Sequence, residues 1–380
     1  MIVQKCTNCG SLERVLLNKA FADKHDLLTS DVKYIESADA ERYLCRNCGV
    51  VEIVFSVNDA IEKFYAREYE INDIVQNHYV VINEKASGKH SFIYESVYSE
   101  IRGKKIRNGK YLEIACGTGE LIKECQRLFP EWTFTGVEPS DKCHMKLSGN
   151  ERISFVKDFF PTDRIKHQHF DFIVAHGLLN RTAPYPCLQS IANVCVPGTI
   201  LSIELMLLEQ SECAPYIWDH TYMYTADVIR EYLNACGFSI VSDTDLGSSH
   251  HYICRYNGTG SLLIELSNTV VKQSQEVFSC HLLWWENKIE KYHKFKGMYP
   301  SGIALFGAGM YSAILINKSK EKPAFIIDEL KKNTVFYGVN VYGFESIPRN
   351  DIQVLLCTRP AYVTPISDKL IDNNIKFSIL

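Results

Sequence analysis

The sequence predicts an α/β protein with a Rossmann-like central domain, an N-terminal zinc-binding module and a smaller C-terminal Rossmann-like domain. Three observations carry this. Residues Tyr111 to Asp141, YLEIACGTGELIKECQRLFPEWTFTGVEPSD, run as apolar strand, glycine turn, amphipathic helix and second strand. Two Cys-x-x-Cys-Gly knuckles, Cys6/Cys9 and Cys45/Cys48, stand in the first sixty residues. A second strand, turn and helix pattern, SGIALFGAGMYSAILIN, lies near the C-terminus. A chain of 380 residues is long for one core. The expected division is 1–58 for the zinc module, 59–268 for the central domain with a helical lid, and 269–380 for the terminal domain.

Composition narrows the function classes. With 46% hydrophobic and 23% charged residues the chain reads as an ordinary globular protein. A formal net charge of -4 provides no overall attraction to nucleic acid or to an anionic membrane, so neither is expected as a partner. The fourteen cysteines lie mostly singly in apolar segments and read as reduced thiols. With no secretory leader after Met1 and no membrane-length apolar run, this favours a cytoplasmic protein. The Lys288–Lys296 stretch, interrupted by Glu290 and Tyr292, reads as a solvated helix face.

In the N-terminal module, two residues between cysteines let both sulfurs face one point, and four thiolates suit tetrahedral zinc. The 35 residues between the knuckles exceed the usual ribbon spacing, but loop-closure entropy grows slowly with length. A redox pair or unpaired core cysteines are the alternatives. Four protein ligands leave no open position, so the expected role is structural. From Val57 to Gly109 aromatics recur at loosely helical intervals. Tyr65, Tyr69 and His78 are the residues that could reach a ligand, although packing of a helical lid is the favoured reading of any one of them.

In the central turn, Gly117 and Gly119 allow a tight bend and a close backbone approach, and the helix start behind them offers free N–H groups. Glu113 lies inside an apolar strand, where a carboxylate is costly without a partner. Glu138, about twenty residues on, is placed to hold both hydroxyls of a ribose. Leu121 and Ile122 occupy the place of the last glycine of a dinucleotide fingerprint, so that fingerprint is not met. Instead, Glu113, Gly117, Gly119 and Glu138 resemble the first two motifs of the class I S-adenosylmethionine-dependent methyltransferases. That resemblance implies a class I methyltransferase fold for the central domain. It places Glu113 at the methionine end of the cofactor and Glu138 on its ribose, with Ala115 and Pro139 in the same two motifs. The third strand, ISFVKDFFP, ends at Asp158 and Phe159, where the family meets the adenine; a loop carboxylate capping a helix is the other reading of Asp158.

The fourth strand, FDFIVAHGLLN, brings His176 and Asn180 out at its carboxyl end, the ligand side of an open α/β sheet, so His176 also borders the cofactor. After the fifth strand, IWDHTYMYT carries Trp218, Asp219, His220, Tyr222 and Tyr224, followed by a helix from Thr225-Ala226-Asp227 to Cys236-Gly237. A histidine beside a carboxylate, among aromatics at the rim of the site, is a candidate base. Tyr252 to Leu266, begun by His250 and His251, reads as the final antiparallel hairpin. That pair is taken as sheet-edge polar residues or a substrate contact. In the terminal domain, Gly307-Ala308-Gly309 forms a second turn with Asp328 at a strand end. Ser312 stands where a third glycine is needed, so intact dinucleotide binding is not expected, and a substrate phosphate at the helix start is favoured over pure scaffolding.

The order of parts resembles the deoxysugar C-methyltransferases that act on nucleotide-linked keto sugars. The resemblance rests on Cys6, Cys9, Cys45 and Cys48, the EIACGTG turn, and IWDHTYMYT, which is similar to the family's Tyr-x-Glu-His-x-x-Tyr stretch. It implies S-adenosylmethionine and structural zinc as cofactors and a nucleotide-linked sugar as partner. His220 matches the family's base and Asp219 the glutamate before it. His176, Asn180, Asp219 or Tyr222 would serve the enolate or orient the base. His176 and Asn180 stand in the reverse of the family's order. An O- or N-methyltransferase for another metabolite, an RNA-modifying zinc protein and a non-catalytic regulator are the competing readings.

Overall fold

The computed structural model describes residues 5–21, 27–30, 32, 39–57, 60–68, 79–82, 85–147, 152–247, 249–258, 260, 265–299, 301–348, 352–358 and 360–380. The chain separates into two compact units, residues 1–19, 41–210 and 220–275 in the first, and residues 20–40, 211–219 and 276–380 in the second.

The first unit opens with β1 (Arg14–Ala20), β2 (Ala40–Cys45) and β3 (Val51–Phe55). After α1 (Ala60–Lys63), β4 (Tyr79–Ile82), β5 (Lys85–Gly88) and α2 (Lys89–Gly103) comes the central βαβ run. This comprises β6 (Lys110–Ile114), α3 (Glu120–Leu128), β7 (Thr133–Val137), α4 (Asp141–Leu147) and β8 (Ile153–Val156). It continues through β9 (Phe170–His176), α5 (Pro184–Asn193), β10 (Cys195–Leu205), β11 (Tyr222–Met223), α6 (Ala226–Ala235), β12 (Phe238–Asp245) and β13 (His250–Tyr256).

Seven strands make one sheet in the order β12-β13-β10-β9-β6-β7-β8. β13 runs antiparallel between β10 and β12, and the remaining pairings are parallel. This is the class I methyltransferase sheet. Alternation along its strands divides the core into two layers. Leu112, Ile114, Ile173, Ala175, Leu201 and Ile203 face one side, with α5 and α6. Tyr111, Phe134, Phe172, Val174, Ile200 and Ile253 face the other, with α2 and α3. Helix α3 buries Leu121, Ile122 and Cys125 and starts from Gly119, whose φ is 73°. Helix α6 starts from Thr225, whose hydroxyl accepts from Val228 N–H, and stops before Gly237, at φ 81°.

The final hairpin differs from expectation. β13 pairs with β12, residues 238–245, and residues 261–264 of the expected second strand lie outside the described residues. The Asn257–Gly258 turn signal is local, whereas the pairing is decided by the insertion of β13 beside β10. The strands of the N-terminal module also do not close on themselves. They take β11 as a fourth strand, Tyr222 opposite Glu52 and Met223 opposite Val51.

Helix α7 (Asn268–Met298) leads into the second unit's β14 (Ile303–Phe306), α8 (Met310–Ser319), β15 (Phe325–Ile327), β16 (Thr334–Phe336), β17 (Val339–Tyr342), β18 (Gln353–Leu356), α9 (Pro360–Asp372) and β19 (Phe377–Ile379). Its sheet order is β16-β17-β15-β14-β18-β19, parallel apart from β16. Trp285, Ile303, Leu305, Ile314 and Leu355 form its core, with Leu28, Cys213 and Ile217 from the two short segments. Among the described residues no helix is long and apolar enough to cross a membrane.

Candidate functional site

The glycine turn after β6 has the local geometry its composition demands. Ala115, Gly117 and Gly119 have φ of 56°, 55° and 73°, in the left-handed region that glycine enters without a Cβ penalty. Ala115 occupies it despite its Cβ. The turn is held from the next strand end. Glu138 accepts from Gly117 N–H at 2.8 Å through one carboxylate oxygen and from Ser140 N–H at 2.9 Å through the other. Pro139 lies half-buried between them.

Glu113 is buried two residues before the turn and accepts from the Tyr111 hydroxyl at 2.9 Å. Burial, with a smaller contribution from the Glu138 charge, pushes its carboxyl up to about 8, and the Tyr111 hydrogen bond opposes this. Burial also raises Glu138, against the two backbone donors and the Arg181 charge. Two buried acids thus flank one glycine turn. Such a place favours a cationic ligand, and the S-adenosylmethionine sulfonium and ammonium fit that chemistry. At the end of β8, Asp158 caps its own turn, accepting from Phe159 N–H at 2.9 Å and from the Thr162 hydroxyl at 2.6 Å. The Phe159 ring is 41% exposed, an uncovered apolar face on this edge.

His176 ends β9 on the Glu113 side of the sheet, and its Nε2 is 2.9 Å from Ser202 Oγ. Asn180 has its amide committed to backbone. Its N–H groups donate to the carbonyls of Met206 and Tyr222, and its oxygen accepts from Met206 N–H at 2.8 Å. Tyr222 N–H returns a bond to Asn180 carbonyl at 3.0 Å. Asn180 therefore ties the His220–Tyr222 stretch to the ends of β9 and β10. His220 is buried within this stretch, and the carbonyl of Thr221 accepts from Ile53 N–H.

Tyr222 donates its hydroxyl to Thr7 Oγ1 at 2.8 Å, and Thr7 passes its own hydrogen to Glu52 at 2.8 Å. Glu52 also pairs with Arg14. Burial pushes the Tyr222 phenol up to about 12. Asp219 belongs to the second unit, where its fully buried carboxylate accepts from Ser30 N–H at 2.7 Å and Ser30 hydroxyl at 2.6 Å. His250 meets Asp243 at 2.9 Å on the surface, while His251 is buried against Ser202 at 2.9 Å.

Cys6, Cys9, Cys45 and Cys48 converge, their sulfurs all within 4.8 Å of one another. Cys6 and Cys48 are 3.8 Å apart, and Cys9 and Cys45 3.6 Å. A tetrahedron with metal–sulfur bonds of about 2.3 Å has edges of about 3.8 Å, so the set fits zinc. Asn8 donates to Cys48 sulfur at 3.4 Å and Asn47 to Cys9 sulfur at 3.7 Å, the N–H contacts thiolates accept.

Three participants escaped sequence reading. Arg181 donates to the Tyr65 hydroxyl at 2.7 Å, lies 5.4 Å from that ring's centre and binds the Gly177 carbonyl. The Arg181 charge also acts on Glu138; Tyr69 and His78 lie outside the described residues. Ser202 and Thr7 were the other two. The polar alternation at Ser202 and Glu204 in TILSIEL signalled a polar face, but not its partners.

Residues 90–243 match a family model described as a methyltransferase domain. No curated protein sequence matches the chain. Among solved structures, the chain is similar to the plantazolicin methyltransferase BpumL in complex with a desmethylPZN analog and SAH, at 16% identity over 44% of this chain and 82% of that one, TM-score 0.36. It is similar to an S-adenosylmethionine-dependent methyltransferase from Clostridium acetobutylicum ATCC 824, at 13% identity over 44% and 92%, TM-score 0.37. It is also similar to the [4+2]-cyclase SpnF, at 15% identity over 48% and 87%, TM-score 0.37. Residues 90–243 of the chain are a methyltransferase domain.

Proposed function

We propose that the protein methylates a carbon of a nucleotide-linked keto sugar. The observation that carries this reading is the Asn180 clamp, which ties the stretch bearing His220 to the strand end bearing His176. Methylation at carbon needs two groups that methylation at oxygen or nitrogen does not. A base removes the proton beside a carbonyl, and a donor stabilises the oxygen as negative charge develops. His220 is the base in this reading. Of the four residues considered for the second role, Asn180, Asp219 and Tyr222 direct their polar atoms to Met206, Ser30 and Thr7. His176, at the end of β9, is the donor in this reading.

S-adenosylmethionine, when bound, supplies an electrophilic methyl group. Glu113 faces its cationic end, Glu138 its ribose, and Asp158 with Phe159 its adenine, beside Ala115, Gly117, Gly119, Pro139 and His176. The four cysteines hold zinc in a structural role: Thr7 of the first knuckle receives the Tyr222 hydroxyl, so the metal steadies the strand that follows His220. The second unit's Gly307–Gly309 turn takes a phosphate at the helix start behind it.

Deuterium exchange tests the acceptor class. With S-adenosylhomocysteine replacing the methyl donor, the enzyme should exchange the substrate hydrogen beside the carbonyl in deuterated water. Methyl transfer to that compound without exchange would instead make this an O- or N-methyltransferase. His220→Ala should lower methyl transfer by about 10²- to 10⁴-fold while cofactor affinity stays within twofold to threefold; an equal loss of both would remove its role as base. Metal analysis should return about one zinc per chain, and chelation should lower the unfolding temperature.

A further inference from the structure

We propose that the helical turn Phe64–Glu68 is a strap over the S-adenosylmethionine site and that Arg181 is the positioning residue that fastens it, so that bound cofactor leaves slowly. This rests on the reading above that the Gly117–Gly119 turn and Glu138 hold the cofactor. Strand order places the strap. β6, which carries the glycine turn at its carboxyl end, lies between β9 and β7. The Phe64–Glu68 turn, which continues α1, is anchored on both sides of it. On the β7 side it packs against α4, whose first residue, Asp141, follows Glu138 by three positions. Lys157 holds the Asp141 carboxyl below its ordinary value, and the Arg67 charge adds to this. On the β9 side Arg181, in the turn after that strand, donates through Nε to the Tyr65 hydroxyl at 2.7 Å. A segment fixed at both places crosses the carboxyl end of β6, where an open α/β sheet takes its ligand.

Packing explains the burial of Phe64 and Tyr65, which are 5% and 8% exposed with their rings edge to face at 5.1 Å. It does not explain the guanidinium placed on the Tyr65 hydroxyl. Arg181 lies 5.4 Å from the Tyr65 ring centre, and its Nη1 donates to the Gly177 carbonyl. Gly177 makes room for this: its φ is 64°, and a Cβ there would lie 2.9 Å from Nη1. Two donors of one planar fork thus tie the strap to the backbone turn after β9, a geometry that the single ammonium of lysine cannot reproduce. Glu138, raised by burial and held back by two backbone donors, also feels the Arg181 charge, so the anchor of the strap and the ribose acceptor are neighbours. Cofactor beneath the strap leaves only when the Arg181–Tyr65 bond opens. Neither residue holds the cofactor in this scheme, so loosening the bond speeds release and does not slow entry.

Surface plasmon resonance of S-adenosylhomocysteine on the captured, full zinc-loaded chain tests this. Tyr65→Phe removes only the hydroxyl, and Arg181→Lys keeps the charge but not the fork. Each should raise the dissociation rate by about tenfold, with association no slower than in the parent. The double variant should release no faster than either single one, since both break the same bond. Hydrogen exchange reads the strap itself: amides of residues 64–68 should exchange more slowly with S-adenosylhomocysteine bound, and Tyr65→Phe should remove most of that protection. Unchanged dissociation in both single variants, additive effects in the double variant, or slower association with unchanged release would overturn the fastening role. Glu138→Ala separates this from the cofactor reading. If the parent chain binds no S-adenosylhomocysteine, or Glu138→Ala binds it as well as the parent does, the cofactor reading fails and the role of the strap with it.

Discussion

The molecule contains two strand, glycine-turn and helix units, and both clamp the turn with a carboxylate from the next parallel strand. Glu138 receives Gly117 N–H in the first unit, and Asp328 receives Ala308 N–H at 2.8 Å in the second. Their surroundings differ in charge. The first turn is flanked by two buried acids, with Glu113 pushed up to about 8. The second carries a cation across the turn: Lys331 donates through Nζ to Ala308 carbonyl at 2.6 Å, while Asp328 takes two further N–H groups, from Leu330 and Lys331. Ser312, in place of a third glycine, binds back to the Gly307 carbonyl. One backbone device thus serves two electrostatic environments. The acidic turn suits a sulfonium cofactor, and the lysine-bearing turn suits the phosphates of a nucleotide.

The comparison is broken most severely at Glu138. Glu138→Ala removes the turn clamp and, in the proposed reading, the ribose acceptor, and should weaken S-adenosylmethionine binding by roughly 100-fold, about 2–3 kcal/mol, in titration calorimetry. Nucleotide binding at the second turn should not change.

A smaller effect is expected from pH. The Glu113 carboxyl lies above its ordinary value, so the unliganded protein keeps its proton until about pH 8. A cationic ligand favours the ionised form, so binding near pH 7 should release a proton and affinity should rise with pH, at most about tenfold per unit, until about pH 8. Calorimetry in buffers of different ionisation enthalpy reads the proton directly, and Glu113→Gln should abolish the buffer dependence. Binding without proton release in the parent protein would separate Glu113 from the cofactor. The smallest effect belongs to Lys331→Met, which should weaken a nucleoside diphosphate by about tenfold and leave S-adenosylmethionine binding unchanged.

Local chemistry made the first turn and the zinc knuckles legible in the sequence. Glycine at positive φ, a Cys-x-x-Cys spacing and the period of an amphipathic helix are properties of a few adjacent residues. The same holds for the start and stop of α6 at Thr225 and Gly237. The remainder depends on pairing between distant strands. That β13 lies beside β10, bringing His251 to Ser202, follows from the sheet's register and from no local signal. Asn180 and Tyr222 were recognised as important residue types in the right stretch, but what their polar atoms bind depends on where Met206 and Thr7 are brought by the fold. Arg181 was passed over because a single arginine after a strand has no distinguishing pattern until Tyr65 and Glu138 are seen around it.

The central claim is methyl transfer to carbon. It is tested most directly by turnover of a nucleotide-linked keto sugar with carbon-13-methyl S-adenosylmethionine, followed by NMR of the product. The account predicts the label as a methyl group bonded to the carbon beside the carbonyl. A label on oxygen or nitrogen would contradict it.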